Sequence, residues 1–469
     1  MRRILILAGP LLVSACALGP NYTPPTPPQD ADAPFVSADP RVTTDATGPD
    51  AWWKLYDDPV LNDLIIQAFA KNEDLKTAEA NLSASRAILE GTRSSLYPQT
   101  DLKAGAVYGR DLTTDEILEL TGREPQDTWL FDSLLDVSYE LDLFGHVRRS
   151  IEAARDNSQA IAAARDGLRV TIAAETARAY GNICTLGEQL AVADRSLTLA
   201  TQQQQIVEDQ RDAGAGTDYD VAREAVVVAQ TSATIPPLQG ARQAALFELA
   251  ALLGETPTNA PVTVEACVIP PHLTSLVPVG DGAALLRRRP DIREADRKLA
   301  QSLAEIGVAK ADLFPRVTLS GFYGGASNQI SLLGSGSGLA WGIGPAISWT
   351  FPNLQGPLAK LSQSKAGAAA ALSNFESVVL QALKEVEQAL AVYDAELGHH
   401  AALAAARMDA QRAFDQATDQ YSAGQISHLD LLTSEQTLIG ADTAIASSDA
   451  SVVLDQIAVF KALGGGWQQ

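Results

Sequence analysis

The sequence predicts a mixed α and β membrane protein, in which long helical hairpins join pairs of strands and the whole pattern occurs twice. Three observations carry this prediction: an internal duplication, a proline-free helical stretch far longer than a globule needs, and short segments whose hydropathy alternates with a period of two.

The chain begins with an address. Arg2 and Arg3 precede an apolar run from Ile4 to Val13, too short to span a bilayer and typical of an export signal. Val13-Ser14-Ala15-Cys16 resembles a bacterial lipobox, which implies cleavage after residue 15, acylation of Cys16 and, with Ala17 next, sorting to the outer membrane. The alternative is an ordinary signal peptide with a stray cysteine. Each buried methylene of such an anchor contributes about 0.8 kcal/mol. Residues 16–50 read as an extended lipidated segment, with Pro24 to Pro28 forming a semi-rigid strap.

Composition narrows the functional classes. A net charge of −22 repels nucleic acid and polyphosphates. With three cysteines, five histidines and neither C-x-x-C nor H-E-x-x-H, no metal ligand set is evident. No serine lies in G-x-S-x-G, so a catalytic site has no support and no cofactor is expected beyond the lipid on Cys16.

The duplication organises the rest. Residues 72–102 align with 289–319, 212–221 with 422–431, and 251–254 with 461–464. The first repeat therefore covers 51–256, an equatorial linker 257–281, the second repeat 282–464 and a tail 465–469. Each repeat reads as a helix of about 25 residues, two strands, a very long helix, a glycine turn and a medium helix of about 37 residues. Pro98 and Pro315 stop the first helices. The two shorter helices together match the long one, as if stacked end to end beside it.

Between these prolines and Gly145 or Gly356 the period becomes two. Leu135, Val137, Tyr139, Leu141 and Leu143 alternate with Asp136, Ser138, Glu140 and Asp142. Trp341, Ile343, Ile347, Trp349 and Phe351 alternate with Gly342, Gly344 and Ser348. One face suits lipid and the other water, although a half-buried soluble sheet would alternate alike. Four strands cannot close a membrane barrel, so several chains must contribute: eight strands from a dimer or twelve from a trimer.

From His146 to about Asp212 the helical pattern runs about 65 residues, or roughly 100 Å. Ile183, Leu186, Leu190, Ala193, Leu197, Ala200 and Val207 take heptad positions, as do Val221, Ala225, Val228, Ile235, Leu246, Leu249 and Leu253 after the turn, predicting an antiparallel hairpin. Pro236-Pro237 should kink or split the medium helix. Cys184 and Cys267, in an oxidising periplasm, are expected to form a disulfide, the alternative being two buried thiols. Arg287-Arg288-Arg289 reads as a solvated or inter-subunit helix start, Gln202 to Gln205 as a polar stretch near the turn, and His399-His400 as pointing to different sides of a helix.

C-x-x-G-P-x-Y-x-x-P at 16–25, LLRRRPDIR at 285–293, ADLFPR at 311–316 and SAGQISHLDLL at 422–432, with the duplication, resemble the TolC-like outer membrane factors of the lipidated NodT type. The resemblance implies a homotrimer with a twelve-stranded barrel in the outer membrane, continued by a periplasmic α-barrel. It also implies two partners, a periplasmic adaptor and an inner-membrane pump of the RND type. Asp220, Leu429 and Asp430 would lie at the periplasmic aperture, Thr433 standing where some relatives carry a second acid. Gly214, Gly216, Gly424 and Ser427 would form the turns that an adaptor meets. The expected function is passive conduction of exported compounds. Type I protein secretion is the runner-up and a non-conducting lipid-anchored scaffold the remote alternative.

Overall fold

The computed structural model describes residues 17–37, 42–43, 49–110, 120, 122, 127–273, 276–334, 336 and 339–466. The signal peptide and Cys16 lie outside the described residues. In the first repeat the elements are α1 (Pro59–Lys71), α2 (Glu73–Arg93), β1 (Gln99–Gly109), β2 (Thr128–Leu141), α3 (His146–Asp212) and α4 (Asp218–Leu252). In the second they are α5 (Gly282–Arg288), α6 (Pro290–Ala311), β3 (Arg316–Ser327), β4 (Leu339–Ser348), α7 (Gln355–Ser422) and α8 (His428–Ala462). The long helices hold 67 and 68 residues and the medium ones 35 each.

The chain forms two compact units. One comprises Leu82–Ile161, Ala295–Phe375 and the N-terminal residues to Pro25; the other comprises Thr26–Asn81, Ala162–Glu294 and Glu376–Gln469. The first holds a four-stranded antiparallel sheet in the order β1-β2-β3-β4. Its register sets Leu102, Leu135, Tyr323 and Trp341 in one row, and Val137, Gly321 and Ile343 in the next. Paired residues share a face, so the apolar series read separately in the two repeats becomes one continuous apolar surface. Trp341, Ile343 and Ile347 on it are each more than 70% exposed. Edge strands β1 and β4 each have one unpaired side within the chain.

In the same unit, residues 17–22 run past the start of α3 and along α6. Leu18 N donates to Phe144 O at 3.2 Å, and Arg149 Nε donates to Leu18 O at 3.0 Å. Gly145 and Gly307 make this approach possible: a Cβ on either would stand within 2.8 Å of residues 17–18 or of Arg149. Tyr22 closes the segment with a hydrogen bond to Asp296, under the guanidinium of Arg297.

In the second unit the core gathers around Trp52, stacked on Phe460 at 4.9 Å, with Leu61, Ile65, Ile183, Leu246 and Leu249 fully buried. Val42–Thr43 pairs in parallel with Val277–Pro278.

Four expectations change. The helix expected ahead of each strand pair is there, as α2 and α6, but a further helix precedes it, α1 ending before Asn72 and α5 before the aligned Arg289. Pro290 forces Arg289 into an extended conformation, and the Asn72 side chain caps α2 by accepting from Leu75 N at 3.0 Å. Pro236-Pro237 does not split α4; the carbonyls deprived of donors belong to Ser232 and Ala233, both exposed, where water can satisfy them. In the first half of α4 the seam is displaced by one residue: Glu224, Val227 and Thr231 are buried, while Val221, Ala225 and Val228 are half-buried; farther on, Leu246, Leu249 and Leu253 are buried as expected. Polar side chains at inward positions, with Ser196 and Gln203 facing in from α3, hid this seam from a hydrophobic reading. Finally, Arg289 is not solvated. It is 8% exposed, donates to Ala462 O at 2.8 Å, and forms ion pairs with Asp291 and Glu385.

Candidate functional site

The two helical turns are built twice to one plan. At the end of α3, Gly214 takes φ +77°, its N–H donating to Arg211 O at 2.9 Å while Ala215 N donates to Gln210 O at 2.8 Å. At the end of α7, Gly424 takes φ +71°, its N–H donating to Tyr421 O at 2.9 Å while Gln425 N donates to Gln420 O at 2.8 Å. These are Schellman motifs, which satisfy the last helical carbonyls. A Cβ at Gly214 or Gly424 would meet nothing within 4 Å, so the left-handed backbone, not packing, calls for glycine there. Gly216 differs: its Cβ would lie 3.1 Å from Arg211 N.

Each turn then starts the next helix with a capping box. Thr217 Oγ1 accepts from Asp220 N at 3.3 Å, and Asp220 Oδ2 accepts from Thr217 N at 3.2 Å and from its hydroxyl at 2.7 Å. Ser427 and Asp430 repeat this at 3.3, 3.1 and 2.6 Å. The hydroxyl bonds from Thr217 and Ser427 hold both aspartates below the ordinary carboxylate range, so they are anionic at neutral pH. Leu429 is exposed beside Asp430. Sequence-marked Asp220, Leu429 and Asp430 thus sit on the first turns of α4 and α8, with Gly214, Gly216, Gly424 and Ser427 in the turns themselves. Tyr421 Oη donates to Gln210 Oε1 at 2.5 Å, tying α7 to α3 just before the two turns.

Behind the turns lies a group the sequence did not reveal. Glu224 on α4 and Glu435 on α8 are fully buried, and among the described residues none of their carboxylate oxygens has a hydrogen-bond partner. His428 Nε2 is 3.1 Å from Glu224 Oε1. Burial, and after it the Glu224 carboxylate, push the Glu435 carboxyl up to about 7 against the opposing pull of His428. For Glu224 the signal was available: it falls on the inward spacing once the α4 seam is shifted. Beyond them, α3, α4 and α8 line an open pocket of about 600 Å³ with Ser196, Thr231, Pro237, Gln436, Gly440 and Thr443 among its walls. Among the described residues no group of three His, Cys, Asp or Glu side chains is placed to hold a metal ion.

Elsewhere in this unit the Cys184 and Cys267 sulfurs lie 2.06 Å apart, at bonding distance, closing a loop of 83 residues. Arg242 fastens the same strand of chain, donating to Cys267 O at 2.7 Å and to Ile183 O at 3.1 Å. His399 faces Glu396 and His400 faces Asp449, on different sides of α7.

Comparison with known proteins places these features. The family model described as outer membrane efflux protein matches residues 64–255 and 283–465. The chain is 30% identical over 478 residues to the toluene efflux pump outer membrane protein TtgF of Pseudomonas putida, covering 99% of this chain and 96% of that one. It is 29% identical over 475 residues to the probable outer membrane lipoprotein SilC of Salmonella typhimurium, covering 99% and 97%. Among solved structures, the outer-membrane channel OprN superposes with a TM-score of 0.89 at 35% identity, covering 97% of this chain and all of the other. The MtrE outer membrane channel of Neisseria gonorrhoeae, in its open state, superposes at 0.84 with 27% identity, covering 97% and 99%. Both repeats, the paired hairpins of strands and the twin helical turns are therefore those of one lineage, and the chain belongs to the outer membrane efflux protein family.

Proposed function

We propose that this outer membrane efflux protein is one subunit of a homotrimeric channel. It passively conducts small compounds from an inner-membrane pump, of the RND type, through a periplasmic adaptor to the exterior. The observation that carries the reading is the sheet. Its apolar face runs across all four strands and is exposed, and its two edges are unpaired within the chain. An open edge in lipid costs several kcal/mol per unsatisfied group, so copies must join edge to edge. Twelve strands from three copies make a closed barrel. The relatives' names favour small cargo over secreted protein, being those of toluene, solvent and cation efflux proteins.

In this reading Asp220, Leu429 and Asp430 ring the periplasmic aperture, and the turns carrying Gly214, Gly216, Gly424 and Ser427 receive the adaptor. The lipid on Cys16 assists insertion. Planar-bilayer recording tests the core of the proposal. Purified protein should form channels, and replacing Asp220 and Asp430 together by alanine should raise their conductance. Folded protein that never conducts, even with both aspartates removed, would favour the lipid-anchored scaffold. Cys16→Ala behind a cleavable signal should lower the yield of assembled protein more than its conductance.

A further inference from the structure

Glu224 and Glu435 present a charge problem that the channel function does not use. Both carboxylates are fully buried, on two different helices, and lack hydrogen-bond donors. Among the described residues the basic side chain recorded against them is His428, whose Nε2 lies 3.1 Å from Glu224 Oε1. Glu224 has that imidazole beside it; among the described residues Glu435 has no such neighbour within contact, and an unpartnered buried carboxylate is costly unless it holds a proton. No metal-holding group of three exists among the described residues.

The surroundings are otherwise accounted for. From α4, Asp220 is held by Thr217 and feels His428 and Arg223 at a distance, while Arg223 lies over the Tyr219 ring at 5.6 Å. From α8, Asp430 is held by Ser427. From α7, the Tyr421 ring stands 5.9 Å from the His428 ring, its hydroxyl engaged by Gln210 of α3. From α3, Ala200 packs against Val227 and Leu432, and Arg211 pairs with Asp212 and Asp218.

We propose that Glu224, His428 and Glu435 form a proton-operated clasp between α4 and α8. With a proton on Glu435, one carboxylate faces one imidazole and the helices are held together. Without it, a second carboxylate is buried between the helices with no partner of its own, and α4 and α8 part near the turns. The sign follows from the raised carboxyl: its contribution is complete below the ordinary value of 4.5 and is lost as pH rises through about 7. The clasp itself does not depend on a pore; only its effect on conductance rests on the aperture proposed above.

The test uses the full-length protein in detergent micelles with nitroxide labels at Val226→Cys on α4 and Thr437→Cys on α8, both exposed positions. Between pH 5.5 and 8.5, chosen to bracket the window, the long-distance population should grow about tenfold, with a midpoint near neutrality. Glu435→Gln should hold the short distance at every pH. Glu224→Gln, which removes the like charge, should move the midpoint down by about one pH unit, a shift that a purely structural role would not produce. Distances that ignore pH, or a Glu435→Gln variant that still responds as the parent does, would overturn the clasp. Should the distances move while single-channel conductance does not, the clasp stands and the placement of the aperture at these turns falls.

Discussion

The joints between shorter helices show how far a duplicated plan can diverge while its geometry stays fixed. In the first repeat Asn72 ends α1, caps α2 and donates through Nδ2 to Leu252 O at 3.1 Å. In the second, Arg289 ends α5 and donates to Ala462 O at 2.8 Å. Positions 72 and 289 align, as do 252 and 462, so each joint ties the start of one helix to the last turn of the medium helix. One repeat does this with a neutral amide. The other uses a buried guanidinium, which must then be neutralised by Asp291 and Glu385. The first repeat is also tied to the linker by the Cys184–Cys267 bridge, for which the second has no counterpart. What was duplicated is the need to satisfy a helix end; the residue that meets it was free to change.

This comparison can be broken in steps. The largest effect should come from Cys184→Ser, where losing the cross-link of a long loop costs about 2–4 kcal/mol in urea unfolding. A loss under about 0.5 kcal/mol would show that the bridge does not account for the asymmetry. Arg289→Ala comes next, at about 2–3 kcal/mol. It orphans a carbonyl and leaves two carboxylates without their cation, though both are partly exposed and so partly solvated. Asn72→Ala should cost about 1–2 kcal/mol, since a carbonyl and an N-terminal amide lose partners but no charge is stranded. If Asn72→Ala proved the costlier of the two, the charged joint would be the weaker. Thr217→Ala and Ser427→Ala should each cost about 1 kcal/mol and match one another, because the two capping boxes share one geometry. Unequal losses there would show that the turns carry different loads despite their common form.

Much of the architecture was legible because it rests on local rules. The helix lengths, the Gly214 and Gly424 turns and the alternating strands follow from periodicity, glycine and proline alone. Less legible were features that depend on partners distant in sequence. Arg289 looks like part of a solvated basic run until Ala462, 173 residues away, comes to accept from it. Glu224 and Glu435 look like surface charges because inward-facing carboxylates are rare, and their neighbours on α4 suggest a seam one residue off. Pro236-Pro237 predicts a broken helix only if the deprived carbonyls are dry, and exposure is a tertiary property. At the turns, Asp220 and Asp430 were found by alignment with one another. Their capping bonds explain their presence equally in both repeats, so the aperture role needs the conductance measurement to stand apart from the structural one.

The glycines beneath the N-terminal segment bear on how the molecule meets its membrane. Ala17 lies against Gly145, the residue that hands β2 over to α3, and Leu18 is bonded to Phe144 and Arg149. An acyl group on Cys16 would therefore have almost no slack, since one residue spans at most about 3.6 Å. Such a lipid would act as a depth gauge. It would register the bilayer surface against the junction of strand and helix, so lengthening the chain between 16 and 18 should let the barrel float at a different height without altering a single strand.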